Sequence, residues 1–325
     1  MATSNSAAGG VPQTGSRSGG GTRIADLFAK VMTLIAALSV LFVTVWVVAE
    51  LWQRSKLPRQ AFGFHFFLDS VWDPVFGHFG ARPFVYGTLV TSAVAMIISI
   101  PLGVGAAIFL AELAPRGLSD TLTFLIELLA AVPSVVLGLV GIFVVVPWVR
   151  TSFGPALKDV FGFIPLFQGP IYGVGFLTAG LVLAIMVLPF IVSISREVLL
   201  SVPNDLREGA LALGSTHWES TWKVVVPTAG TGILGAIFLG LARALGETMA
   251  VSMVIGGTPQ IAASLFAPGY SIAAVIADQF SEATGELFRQ SLIELGLVLF
   301  GITVLLHAVA RLLVQVTARR GGGGA

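Results

Sequence analysis

Two charged residues inside a long apolar run are the side chains of this sequence best placed to do chemistry. Arg243 and Glu247 lie four residues apart in segment 229–255, whose other residues are apolar, glycine, serine or threonine. An ionisable group in such a run is costly and marks either a pairing or a function. Arginine offers a permanent charge and a planar fork that suits tetrahedral oxyanions.

Two interpretations of these charges stay open. Residues at i and i+4 can pair on a helix surface, so Arg243 and Glu247 could simply neutralise each other and fix the packing. We favour the alternative, in which Arg243 meets an anion in transit and Glu247 keeps the site from holding that anion too tightly. Ala236 and Gly240 share the stripe at helical spacing, and such small residues let another helix approach closely.

A second polar stripe runs along segment 122–149. A stripe at helical spacing, with Pro133 within it, is formed by Glu127, Ala131, Ser134, Gly138 and Gly141. Proline can open a helix locally, and a water-lined pathway can satisfy the freed backbone groups. We therefore expect Glu127 and Ser134 to line the same pathway as Arg243. Glu112, by contrast, is interpreted as a solvated residue at the end of its apolar run.

Other kinds of chemistry are excluded or unsupported. There are no cysteines, so disulfides, thiolate metal sites and thiol nucleophiles are excluded, and the four histidines lack metal-ligand spacing. No Walker A sequence is present, so the chain does not bind ATP through a P-loop. The net charge of +1 argues against a nucleic-acid surface. We predict no catalytic residue, no metal and no cofactor.

The elements that position these residues are membrane helices. Hydrophobic residues make up 55% of the chain, charged residues 11%, and the mean hydropathy is +0.92. Soluble domains carry about 25% charge, so the apolar surface must face lipid. A membrane helix needs about 20 apolar residues. The sequence predicts an all-α membrane protein with six such spans, at 27–50, 85–113, 122–149, 171–195, 229–255 and 292–316.

The remaining segments complete the predicted organisation. Residues 1–22 are expected to be a disordered tail, 23–84 the first span with an extracytoplasmic aromatic-rich segment, 85–316 the core, and 317–325 a flexible tail. The aromatic residues at 62–79 suit a short helix in the lipid headgroup zone. Six spans place both termini on one side, and the excess of Lys and Arg near helix ends modestly favours the cytoplasm.

The loop between the fourth and fifth spans predicts two short amphipathic helices. Asn204 and Asp205 favour a helix start, and Gly214 is expected to end that helix as a left-handed cap. A second short helix should follow and carry Trp218 and Trp222, with Pro227 stopping it before the next span.

This loop is similar to the EAA loop of ABC importer permeases. The pattern stands here as Glu208-Gly209-Ala210, three residues, Gly214, nine residues, then Val224-Val225-Val226-Pro227. Gly209 replaces an alanine, and valines replace the usual isoleucine and leucine. The resemblance implies a type I ABC importer permease fold, with residues 203–227 as a cytoplasmic coupling loop that docks on an ATPase subunit.

Segment 243–247 resembles oxyanion importers generally, and the extension from Thr248 to Val251 looks like the phosphate permeases of the PstC type. Segments 101–115 and 132–138 fit the same family, so that the resemblance covers about 85–316. It implies a cell-membrane permease subunit that is not itself an enzyme, with Thr248 joining the phosphate pathway. The implied partners are a PstA-like permease, two cytoplasmic ATPase subunits and an extracytoplasmic phosphate-binding protein.

Two rival functions remain. A permease for sulfate or molybdate would belong to the same superfamily, and its binding protein would distinguish it. A secondary transporter or channel would work without an ATPase, and such folds often contain paired repeats with broken helices, which the sequence does not reveal. A purely structural scaffold would leave Arg243 unexplained.

Overall fold

The computed structural model describes the backbone of residues 20–321, with the side chains of residues 26–312 and of Val314. The first helices and the only hairpin in this part of the chain are α1 (Gly20–Arg54), α2 (Lys56–Phe62), α3 (His65–Leu68), β1 (Trp72–Asp73), β2 (His78–Phe79), α4 (Arg82–Ile108) and α5 (Arg116–Ala130). The later helices are α6 (Ser134–Val140), α7 (Val146–Trp148), α8 (Gly154–Phe161), α9 (Phe176–Leu200), α10 (Asn204–Ala212), α11 (His217–Ser220), α12 (Val226–Gly246), α13 (Met249–Ile255), α14 (Ile272–Gln279) and α15 (Glu286–Gly321). Four π-helical turns lie at Phe109–Leu113, Gly141–Val145, Val149–Phe153 and Thr221–Val225, and a 3₁₀ turn at Pro165–Phe167.

Six helical stretches in the described residues are long and apolar enough to cross a membrane, as the sequence predicts. They are Asp26–Arg54, Arg82–Leu113, Ser134–Phe161, Phe176–Leu200, His217–Gly246 and Glu286–Leu312, numbered here as spans 1 to 6. The predicted boundaries of spans 1, 2, 4 and 6 agree with these to within six residues. Those of spans 3 and 5 do not.

Span 3 begins twelve residues later than predicted, at Ser134 instead of residue 122. Residues 116–130 form the separate helix α5, and Pro133 follows in an extended conformation, with ψ 139°. Proline lacks the N–H that would continue the helix, and its ring disfavours helical geometry in the residue before it. Glu127 and Ser134 therefore lie on different helices, and the predicted continuous stripe from Glu127 to Gly141 is wrong.

Span 5 is displaced in the opposite direction. It starts at His217 and ends at Gly246, and a break at Glu247 and Thr248 separates it from α13. The prediction that Pro227 stops the preceding helix is wrong. The turn at Thr221–Val225 is π-helical, with the Val226 N–H donating to the Thr221 carbonyl. Such a wider turn accommodates a proline without ending the helix.

Close packing of α4 against α9 forms the centre of unit 51–325. A Cβ on Gly180 of α9 would lie 2.4 Å from a Val94 methyl carbon, and one on Gly103 of α4 would lie 2.8 Å from an Ile191 methyl carbon. Each distance is shorter than van der Waals contact, so these glycines are what allow the two helices to approach so closely. α9 also packs against α12, which carries Arg243.

The aromatic segment 62–79 is not a single interfacial helix. α2, α3 and the β1–β2 hairpin occupy residues 56–79, and Phe66 and Phe79 are each only 1% exposed. The Trp72 ring packs edge-on against Phe79 and Phe84, with centroids 4.9 Å and 4.8 Å away. These rings are core residues, whereas Phe76 at 78% exposure fits the predicted headgroup environment.

Parts of both predicted terminal tails are helical, because α1 and α15 extend into them. The structure divides into residues 1–50 and 51–325, and the first unit contains most of α1. Residues 20–22 of the predicted N-terminal tail are helical, while residues 1–19 lie outside the described residues. In the predicted C-terminal tail, residues 317–321 continue α15, and residues 322–325 lie outside the described part.

Candidate functional site

The Arg243 guanidinium is half-buried and incompletely satisfied. Its central carbon lies 4.8 Å from the centroid of the Phe190 ring on α9, a cation–π arrangement. Its Nε is buried with no hydrogen-bond partner among the described residues. No salt bridge joins Arg243 to Glu247 or to any other carboxylate that the structure describes. A cation held in this way retains donor capacity for an anion.

The predicted i,i+4 pair fails because the helix ends between its two members. α12 stops at Gly246, and Glu247 adopts an extended backbone with φ −70° and ψ 126°. Its carboxylate Oε1 instead accepts from the Ala250 N–H at 3.4 Å, where the first turn of α13 offers unpaired donors. Thr248 occupies the break itself, and its hydroxyl donates to the Gly246 carbonyl at 3.2 Å.

A second helix break lies close to the first in the fold, because α6 packs directly against α13. A Cβ on Gly138 of α6 would lie 2.5 Å from the Met253 sulfur and 3.2 Å from the Ala250 Cα. Ser134, half-buried at the start of α6, therefore belongs to the helix that packs beside the Glu247–Thr248 break. Glu127 lies on the exposed side of α5, across the 131–133 break.

These two breaks interrupt segments that the sequence predicts as continuous spans, and the one at Pro133 lies where a local opening is expected. Each interrupts a helix next to a residue predicted for the pathway, Ser134 at one and Glu247 at the other. A cation with a free donor beside irregular backbone is an arrangement that can receive an oxyanion. The structure thus places Arg243, Glu247 and Thr248 at or near the end of α12 and Ser134 on the helix that packs against α13, whereas Glu127 is exposed on α5.

The loop at 203–227 contains the first predicted short helix as α10, whereas α11 is not a separate second helix but the first turn of span 5. Gly214 has φ +87°, its N–H donates to the Leu211 carbonyl, and the Ser215 N–H donates to the Ala210 carbonyl. These are the two hydrogen bonds of a Schellman cap, which needs a left-handed residue. Thr216 and Glu219 then form a capping box that starts α11. Pro203 is the N-cap of α10.

The exposed side chains of this loop include its motif residues. Glu208 and Gly209 are exposed and Ala210 is half-buried on α10. Leu213, at the bend, is 91% exposed, while Trp218 and Trp222 pack edge-on with centroids 5.5 Å apart and are about half exposed. Pro227 is exposed in the first turn of α12. An exposed apolar tip of this kind is typical of a surface that binds another protein.

Sequence reasoning missed the partner of Glu112, which is not a solvated residue. Its side chain is 9% exposed and accepts two hydrogen bonds from Arg207, one from Nη2 at 2.8 Å and one from Nε at 3.3 Å. The two residues are 95 positions apart in the chain, and no local pattern relates them. The available signal was Glu112 itself, a carboxylate at the end of an apolar span that needed a cation.

A polar network also braces the segment between α13 and α14. Asp278 accepts from the Ser252 hydroxyl at 2.7 Å and from the Tyr270 hydroxyl at 2.8 Å. Burial, reinforced by the bond to Asp278, raises the pKa of Tyr270 far above its ordinary value. The phenol therefore stays protonated and acts as a permanent donor in this brace.

Comparisons with known proteins identify relatives over most of the chain. Residues 99–320 match the family described as binding-protein-dependent transport system inner membrane component. A phosphate transport system permease protein PstC from Mesorhizobium japonicum is 46% identical over 303 residues, which is 92% of this chain and 93% of the relative. The corresponding protein of Xylella fastidiosa (strain Temecula1) is 45% identical over 302 residues, with the same shares covered.

Solved structures share the fold at low sequence identity. A chain of a bacterial alginate ABC transporter, crystallised with an alginate-bound periplasmic protein, matches with a TM-score of 0.57 at 14% identity. The match covers 94% of this chain and 98% of that one. A chain of an inward-facing methionine ABC transporter matches with a TM-score of 0.54 at 16% identity, covering 76% and 99%. These similarities concern the fold alone.

Proposed function

The chain belongs to the binding-protein-dependent transport system inner membrane component family, and on that premise we propose that it is a permease subunit of an ATP-driven phosphate importer. Phosphate as the substrate is supported by the relatives that are phosphate transport system permeases and align over nearly their full length. The structural observation that carries the proposal is Arg243, a permanently charged side chain with an unpartnered buried donor. The core that performs transport is residues 85–316, and hydrolysis of ATP occurs on a separate subunit.

The proposed pathway passes the two helix breaks. Arg243 binds the phosphate oxyanion transiently, with Thr248 and Ser134 offering hydroxyl groups nearby. Glu247 caps α13 and keeps a negative charge close to the site, which prevents phosphate from being held too tightly. Glu127 lies at the far side of the break before α6 and contacts the anion only at the entrance or exit.

The loop at 203–227 is proposed to dock on a cytoplasmic ATPase subunit through Glu208, Gly209, Ala210, Gly214 and Pro227. Its support is the motif spacing, the Schellman bend and the exposed Leu213 at the tip. The complex would contain this chain, a PstA-like permease and two ATPase subunits, with an extracytoplasmic phosphate-binding protein delivering the substrate. Alternating access would move the substrate across.

Uptake by the assembled complex tests the proposal. Labelled phosphate is supplied with the binding protein to proteoliposomes that hold this chain, the partner permease and the ATPase subunits, with and without internal ATP. We expect ATP-dependent uptake that excess unlabelled phosphate abolishes and that sulfate and molybdate leave unchanged. Uptake without ATP, or competition by sulfate or molybdate at equal concentration, would refute the substrate or the energy source.

Orientation is tested separately, because both termini and the loop at 203–227 are proposed to lie in the cytoplasm of a multi-pass plasma-membrane protein. Single cysteines replace Leu213 and Phe76, which are 91% and 78% exposed, in a chain that has no native cysteine. An impermeant thiol reagent applied to intact, outer-membrane-permeabilised cells should label the Phe76→Cys protein and spare the Leu213→Cys protein. The reverse pattern would refute the docking proposal.

A further inference from the structure

One arginine gathers several hydrogen bonds at the base of the loop helix α10. Arg207 donates to both carboxylate oxygens of Glu112, in the last turn of span 2, at 2.8 and 3.3 Å. Its Nη2 also donates to the Leu199 carbonyl at the end of span 4, at 2.8 Å. Its Nη1 donates to the Val202 carbonyl and to the Asn204 side chain. All three guanidinium nitrogens are therefore engaged, and they join α10 to two membrane-spanning helices.

The other main contacts of α10 are with α11 and with the turn Thr221–Val225 of the same loop. None of its nine residues is fully buried, and Arg207, Ala210 and Leu211 are the half-buried ones. These three positions share one helical face. The fork of Arg207 sets both a distance and an angle, because two parallel N–H···O bonds resist rotation.

The helices that Arg207 joins lead to the site. α4 and α9 form the most extensively packed pair in the chain, and the Phe190 ring that supports the Arg243 guanidinium projects from α9. Glu112 follows α4 directly, in the π-helical turn Phe109–Leu113, and Leu199 is in the last turn of α9. A displacement of α10 that is transmitted through Arg207 therefore acts on α4 and α9, and α9 carries the Phe190 ring that packs against Arg243.

We propose that Arg207 and Glu112 are positioning residues that transmit movement of the coupling helix α10 to spans 2 and 4. This inference rests on the proposed function, in which an ATPase subunit pulls or pushes the loop at 203–227. With the pair intact, α10 and the ends of spans 2 and 4 move as one body. Without it, α10 still docks on the ATPase, but part of its movement is lost before it reaches the phosphate pathway.

The distinguishing readout is the number of phosphate ions transported per ATP hydrolysed. A residue needed only for folding lowers the amount of complex, and therefore lowers uptake and hydrolysis in the same proportion. A residue that transmits movement lowers uptake while hydrolysis continues, because the ATPase subunits still close on α10. The ratio separates these cases, since the quantity of complex cancels from it.

The experiment measures labelled phosphate uptake and ATP hydrolysis in the same proteoliposomes, prepared from the full complex with its binding protein. Glu112→Gln keeps the size of the side chain but removes its charge, and Arg207→Lys keeps the charge but removes the fork. Lys223→Gln is the matched control, because it removes an exposed ion pair with Glu219 from the same loop.

We expect the transport ratio to fall at least about tenfold in Glu112→Gln, to fall less in Arg207→Lys, and to stay at the wild-type value in Lys223→Gln. An unchanged ratio in Glu112→Gln, a parallel fall of uptake and hydrolysis, or loss of both pair variants from the assembled complex would overturn the inference. Absence of phosphate uptake by the wild-type complex would instead refute the proposed function, and would remove the premise of the inference with it.

Discussion

Two arginines of this chain differ in how completely their guanidinium groups are hydrogen-bonded. Arg207 meets a carboxylate, two backbone carbonyls and an amide side chain, so that every guanidinium nitrogen donates. Arg243 lies over the Phe190 ring with a buried Nε that has no partner in the described residues. Both side chains are half-buried.

The difference distinguishes an arginine that only holds the structure together from one that can still bind an anion. A guanidinium whose donors are all used has nothing left to offer a passing anion, and breaking its bonds leaves polar groups unsatisfied. A guanidinium with an unused donor carries an energetic cost that an anionic ligand can relieve. Removing Arg243 should therefore damage transport without damaging the fold, and removing Arg207 should weaken the fold locally.

The largest effect is expected from Arg243→Gln. Loss of a charged hydrogen-bonding partner costs about 1.5–3 kcal/mol, which corresponds to roughly 10- to 100-fold in binding. Labelled phosphate uptake should fall by that factor or more at a normal membrane level of the complex. Arg243→Lys, which keeps the charge but not the planar fork, should recover only part of the activity. Full activity of Arg243→Gln would remove this residue from the pathway.

The double variant Arg243→Gln with Glu247→Gln tests whether the two charges act as a pair. The structure shows no salt bridge between these two described residues, since α12 ends at Gly246 between them. The double variant should therefore transport as poorly as Arg243→Gln alone. If removal of both charges restored near-normal uptake, the two residues would be a mutually neutralising ion pair, and the contrast with Arg207 would disappear.

Substitution of Arg207 should lower the thermal stability of the complex more than substitution of Arg243, although Arg243 matters more for phosphate uptake. Arg207→Gln leaves Glu112 and two carbonyls without a donor, at a cost of about 1–3 kcal/mol for each buried unsatisfied group before solvent screening reduces it. Arg243→Gln removes a poorly satisfied cation and should leave the melting temperature of the purified complex unchanged or higher. Thermal unfolding of both variants in the same detergent makes the comparison, and equal losses would contradict it.

The smallest effect concerns two glycines of the coupling motif that receive the same substitution. No atom lies within 4 Å of a Cβ added at either Gly209 or Gly214, so crowding cannot distinguish them. Gly214→Ala must place an alanine at φ +87°, at a cost of about 1–2 kcal/mol, whereas Gly209→Ala should stabilise α10 by about 0.5–1 kcal/mol. Association with the ATPase subunit, measured by co-purification, should weaken in Gly214→Ala. Similar behaviour of both variants would argue against the bend.

Local sequence rules predicted the loop at 203–227 well, because its structure depends on neighbouring residues. The cap at Gly214 and the helix start after Thr216 each depend on hydrogen bonds spanning five residues or fewer. The breaks were predicted less well, although Pro133 marks one of them directly. The break after Gly246 has no proline, and the apolar run continues through it to Ile255, so hydropathy alone extends span 5 too far.

The sequence by itself determined that this chain has six helices able to cross a membrane. A helix bonds its backbone polar groups internally, so its length and apolarity decide whether it can span the lipid. It also determined the motif spacing of the loop at 203–227 and the presence of Arg243 in an apolar run. Only the tertiary structure decided which charges are paired. Arg207 pairs with Glu112, which is 95 positions away in the sequence, whereas Arg243 forms no ion pair with Glu247, which is only four positions away. An ion pair requires two side chains to meet in space, and their separation in the sequence does not determine whether they do.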